Sequence, residues 1–98
     1  MAATVVHLAP FNTVAVAAST VYQLTAPAQS RYYLTLLNVG TGSVYIKGDA
    51  TVASGDAASF ELPANLAVQF VINGPTGTFI TGGAAAGLVS ALLQPRGE

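Results

Sequence analysis

Arg31-Tyr32-Tyr33-Leu34-Thr35-Leu36-Leu37-Asn38-Val39-Gly40-Thr41-Gly42-Ser43-Val44-Tyr45-Ile46-Lys47-Gly48 is a run with a side-chain period of two. Tyr32, Leu34 and Leu36 share one face of an extended strand, and Tyr33, Thr35, Leu37 and Val39 share the other. Both faces are apolar enough to predict a strand covered on two sides. Asn38 to Gly42 supplies turn residues. Val44 and Ile46 then alternate with Tyr45 and Lys47. β-rich run, Asn/Gly-rich turn and β-rich run together predict a hairpin.

Outward from this run the same period continues. Residues 48–56 form a loop rich in Gly, Asp, Ser and Ala. Ala58, Phe60 and Leu62 are expected inward, with Ser59 and Glu61 outward. Pro63 ends that strand, since it cannot donate to a ladder. Leu66, Val68, Phe70 and Ile72 predict the next inward face. Asn73 to Gly77 is a turn, and 78–81 a short strand. Residues 87–93 read as a closing strand, although the alanines and leucines of 84–93 also suit a helix. Upstream, 4–8, 13–17 and 20–24 have strand content. Seven to nine short strands with turns between predict an all-β, single-domain β-sandwich, jelly-roll-like or immunoglobulin-like. The first 17 residues are either an extended N-terminal arm that adds a strand to a neighbour or a strand of their own sandwich.

Composition narrows the function. The chain has 98 residues, 52% hydrophobic and only 7% charged. Eighteen residues are Ala, so the large apolar residues make an ordinary core rather than a membrane segment. Pro, Asn, Gln, Thr and Gly interrupt every apolar run short of a span. A net charge of −1 provides no attraction to a phosphate backbone, so neither nucleic acid nor membrane is expected as a partner. There is no Cys, hence no disulfide framework and no thiolate metal site. A soluble domain usually carries charge on about a quarter of its residues. A surface this poor in charge is cheap to desolvate and has few charged gatekeepers at its strand edges. It fits a subunit covered by neighbours, and a homo-oligomer is expected.

Chemistry-bearing groups are sparse. The lone His7 has no recognisable nucleophile or base beside it in the sequence. Asp49 and Asp56 lie in one Gly-rich loop. Two carboxylates seven residues apart bring too little oxygen charge for a calcium site, and short polar residues there shape turns. The glycine clusters lack the Lys-Ser/Thr and following helix of a phosphate loop, and serve as turn residues with positive φ. Tyr32, Tyr33 and Tyr45 form an expected contact face; with Arg31 and Lys47 they are too weakly basic for a single-strand groove. No enzyme, cofactor or metal is expected. The expected assembly contacts are Val5, Val6, Leu8, Phe11, Val14 and Val16 in the arm, the face of Tyr32, Tyr33 and Tyr45, and the loop of Asp49 and Asp56.

The 31–48 run also resembles small β-sandwich virion proteins of tailed bacteriophages. These often run Arg-x-x-Leu-x-(Leu/Ile)-x-Asn-x-Gly-x-x-x-Val-Tyr-Ile-x-x-Gly, commonly followed by a loop, a strand ending in Leu-Pro and a further strand. Phe60-Glu61-Leu62-Pro63 through Phe70 keeps that order, and the resemblance spans about residues 22–93. Pro63-Ala64-Asn65 stands where the family often has Pro-Gly-Glu. The resemblance implies a non-enzymatic protein of the virion. Its expected role is a capsid decoration (cement) protein that contacts the major capsid protein or other virion subunits. A tail or fibre component, and a carbohydrate-binding adhesion module, are the alternatives.

Overall fold

A computed structural model describes residues 3–27, 31–49, 51–52, 59–74, 77–82 and 86–95. Nine strands run through them: β1 (Thr4–His7), β2 (Phe11–Val16), β3 (Val21–Thr25), β4 (Arg31–Asn38), β5 (Val44–Lys47), β6 (Phe60–Leu62), β7 (Ala67–Asn73), β8 (Thr78–Gly82) and β9 (Gly87–Pro95). They form a five-stranded sheet of order β1-β3-β8-β5-β6 and a four-stranded sheet of order β2-β9-β4-β7.

Four antiparallel pairings explain both orders: β2 with β9, β3 with β8, β4 with β7, and β5 with β6. These pairs are successive segments of one long ribbon. Wrapping the ribbon closes β4 on β9 and β5 on β8. Of the two expected sandwich shapes, this is the jelly roll. β1 adds to the outer edge of β3, in parallel.

Alternation places the core between the sheets. Val14 and Val16 of β2, Leu34 and Leu36 of β4, and Val89, Ala91 and Leu93 of β9 point inward from one side. Leu24, Val44, Ile46, Leu62 and Ile80 meet them from the other. The ambiguous segment from 87 onward is a strand because its alternate residues complete this layer and its backbone pairs on both edges.

The expected hairpin is absent. β4 and β5 are consecutive but lie in different sheets. Both edges of β4 are occupied by β7 and β9, which leaves none for β5. The turn between them is a corner organised by Asn38, whose side chain is fully buried. Its Nδ2 donates to the carbonyls of Gly42 (2.8 Å) and Leu62 (2.9 Å), and its Oδ1 accepts from Gly40 N (3.0 Å). Val39 N and Gly40 N both donate to Leu88 O. Gly40 is required by this approach, since a Cβ there would meet Leu88 N at 2.9 Å. Among the described glycines, positive φ falls instead on Gly77, where a Cβ would sit on the Leu24 carbonyl. Non-glycine Ser19 and Asn65 also adopt it.

Three further expectations change. β4 is covered on one side only, because Tyr33 and Leu37 face outward and are exposed. Phe60 is in phase with Leu62 but 53% exposed, because β6 is the last strand of its sheet and the layers part there. Leu66, expected inward, lies in the turn before β7 and is exposed.

The N-terminal segment pairs within its own chain: β1 with β3, and β2 with β9. Leu8, Val14 and Val16 belong to the core, so they are not free assembly contacts.

Two predictions follow from these contacts. Asn38→Ala strands three polar partners, at about 1 kcal/mol or more each. Urea and thermal unfolding are expected to show a loss of about 3 kcal/mol and a Tm lower by more than about 10 °C. Asn38→Asp keeps the size but loses both donors, and is expected to fall at least as far. A change under about 1 kcal/mol would refute the corner's role. Deleting residues 1–17 removes β1, β2 and three core side chains whose burial is worth about 1.5–3 kcal/mol each, a sum comparable to the whole stability of such a domain. The truncated chain is expected to lack a cooperative melting transition by circular dichroism; a sharp melt would show that the segment is dispensable to the fold.

Candidate functional site

The three tyrosines expected to share a face occupy three different surfaces. Tyr32 is in phase with Leu34 and points into the core. Tyr33 lies on the outside of the four-stranded sheet. Tyr45 alternates with buried Val44 and Ile46, so it lies on the outside of the five-stranded sheet. A fourth tyrosine, Tyr22, ties a turn: its hydroxyl accepts from Ala17 N at 3.0 Å.

The chemistry-bearing residues have structural duties. Asp49 Oδ1 accepts from Thr51 N at 2.9 Å and from the Thr51 hydroxyl, which also receives Lys47 Nζ at 2.7 Å. That is a side chain shaping its own turn. Asp56 lies outside the described residues. His7 Nδ1 is 3.3 Å from Thr25 Oγ1, and that hydroxyl donates to the Val6 carbonyl, so the ring adjoins the β1–β3 pairing. Among the described residues no three His, Asp or Glu side chains gather as metal ligands.

What the fold does gather is apolar surface. Nine large apolar residues are exposed among the described ones. Phe11, Tyr33, Leu37, Val39, Val71 and Leu88 all belong to the outside of the four-stranded sheet or the end of its central strand. The register gives the layout. One row runs Phe11–Leu92–Thr35–Gln69 across the four strands, and the next Thr13–Ser90–Leu37–Ala67. A third pairs Ala15 with Leu88, beside Val39. On the other flank Tyr33 lies between Gln94 and Val71. Gln69 Nε2 donates to Thr35 Oγ1 at 3.0 Å, so these two polar groups partly satisfy each other. Among the described residues, the only charge on this face is Arg31, in the end row with Asn73.

The outside of the five-stranded sheet differs. Glu61 sits there beside Tyr45, Phe79 stands between Lys47 and Gln23, and Ser43 Oγ donates to Glu61 Oε2 at 2.9 Å. Val5 is exposed and pairs with Gln23 on this face. Val6 packs against the core instead.

A second apolar feature opens at the edge where β6 and β7 part. This groove of about 410 Å³ is lined by Ile46, Phe60, Val68, Phe70 and Ile72, with Lys47 at its side. It explains why Phe60 is both in phase with the core and exposed.

The sequence reading located Phe11 and Tyr33 but missed Leu37, Val71 and Leu88. The signal was present in Tyr33, Leu37 and Val39, which share one parity. The same parity reads equally well as a second buried face. No protein-family model matches the chain, and neither does any curated protein or solved structure.

The separation of the tyrosines is testable by nitration mapped with peptide mass spectrometry. Tyr45 is expected to react in the native protein, and Tyr32, 8% exposed, only on unfolding. Equal native reactivity would contradict the placement of Tyr32 in the core.

Proposed function

We propose that this chain is a non-enzymatic structural protein of a tailed-phage particle, of the capsid-decoration type. The observation that carries the reading is the outside of the four-stranded sheet, where exposed apolar side chains gather and Arg31 is the only charge among the described residues. Isolated exposed apolar residues are ordinary, but a contiguous patch marks an interaction surface. The jelly-roll order and the resemblance of residues 31–48 to small virion proteins give that surface its setting. The jelly roll hosts many functions, so it adds context rather than proof.

The mechanism is burial without chemistry. Each apolar Å² removed from water contributes about 25 cal/mol, offset in part by lost rotational and translational freedom. Repeated over many copies on a shell, modest contacts add up. Desolvating Thr, Ser and Gln costs far less than desolvating Lys or Glu. A tail or fibre position would use the same physics. The carbohydrate-binding alternative needs an aromatic platform, and Tyr32, Tyr33 and Tyr45 do not supply one.

Co-sedimentation with capsid shells of the phage that encodes the chain tests the role. The protein is expected to pellet with the shells, and to do so with less than about a tenfold change in affinity between about 0.05 and about 1 M NaCl. The screening length falls from above 10 Å to about 3 Å over that range, which would abolish a contact built on charge. Absence from both shells and purified virions would overturn the proposal.

A further inference from the structure

We infer that the outside of the four-stranded sheet is a self-association surface, and that its partner is a second copy of this chain packed face to face. The inference rests on the reading above that this face is built to be covered, and it names what covers it.

Charge comes first. Complementary charge gives an interface between unrelated partners much of its specificity and on-rate. This face offers one described charge, Arg31, in an end row where the guanidinium can stay in water. Two copies can meet here without burying an unpaired ion. The Gln69–Thr35 bond further lowers the cost of drying the face.

Relief comes second. On β2 and β9 the small pair Thr13–Ser90 lies between the large row Phe11–Leu92 and the row Ala15–Leu88, whose large member is Leu88 on β9. It forms a shallow trough flanked by ridges. A copy related by a two-fold axis presents the same ridges and trough, so ridge can enter trough on both sides of the interface. Self-complementarity of this kind is what an isologous contact requires. Stacked sheets pack at about 10 Å with inner side chains interdigitated, a geometry already used once inside this domain.

Area comes third. Four strands at about 4.8 Å spacing and eight residues at about 3.3 Å rise give a rectangle of about 500 Å² before side-chain relief. Relief raises the accessible area toward the roughly 800 Å² per partner of a standard stable interface. The other outer face has Lys47 in an inner strand and Glu61 in an edge strand, and fits this role less well.

Sedimentation equilibrium of the full chain, from about 1 to about 200 μM, provides the test. The wild type is expected to form a reversible dimer or an even-numbered assembly built from it. Leu37→Glu and Val71→Lys each place a charge on an exposed position of the face, and circular dichroism is expected to show both folded. Each is expected to raise the dissociation constant by about tenfold or more. Val5→Lys, on the opposite face, is expected to leave it within about twofold. A monomeric wild type across the range would overturn the inference. So would association that both face variants leave intact, as strand pairing through the β2 or β7 edge would give. Shell binding by a strictly monomeric protein would sink this inference and keep the proposed function. A dimer sensitive to the face variants that ignores shells would do the reverse.

Discussion

Asn38 is the residue on which the two-sheet arrangement turns. It ends β4 with its side chain wholly out of water, and an amide there must find partners for its donors and its acceptor. It finds them on Gly40, Gly42 and Leu62, while its backbone bonds Leu66 and Asn65. One side chain therefore joins the end of a four-stranded-sheet strand to the corner that starts β5 and to the end of β6. An apolar residue would fill the space but leave those backbone groups unpaired. The corner sends the chain across the core instead of back along β4. Both edges of β4 then stay available to β7 and β9, which makes it the central strand that the closed roll requires.

Local alternation made the strands legible. The positions of β2, β3, β7 and β8 could be read because turn residues separate apolar residues of one parity. The inward phase of Leu62 and Ile72 could be read for the same reason, as could the shared parity of Leu34 with Leu36 and of Val44 with Ile46. Partnership was not legible. An Asn/Gly-rich turn between two β-rich runs encodes a change of direction, and a hairpin and an inter-sheet corner use the same residue types. The difference lies in Leu62 and Leu88, which are 24 and 50 residues from Asn38 and supply acceptors to the corner. No local pattern contains them. The tyrosines show the same gap. Tyr32 and Tyr33 are neighbours in sequence and therefore point to opposite faces of one strand, while Tyr45 is carried to the other sheet by the corner.

The candidate surface was half legible for a related reason. Apolar residues on both faces of β4 are consistent with a strand buried twice within its own domain. They are equally consistent with a strand buried once in the fold and once by association. Periodicity gives the parity of a side chain but not what lies above it. The roll decides the matter by having two layers: among the described residues, no further layer covers the second face of β4. Leu37, Val71 and Leu88 then stand in the same position as Leu34, Ile72 and Val89, one sheet thickness away, lacking only the opposing layer.

That symmetry of construction bears on how so few charges can be enough. Charged residues keep strand edges and sheet faces apart, and here they are allotted unevenly. Lys47 and Glu61 lie on the outside of the five-stranded sheet, and the three-residue edge strand β6 carries Glu61. β2 and β7, the edges of the four-stranded sheet, carry no charged side chain. A random shortage of charge would leave both faces equally prone to associate, and aggregation would be the result. Among the described residues the outside of the four-stranded sheet has Arg31 alone, in its end row, and this leaves one direction of approach favoured, with the opposite face held in water by Lys47 and Glu61. The low charge of the sequence is then a directional property, set by which sheet each residue joins.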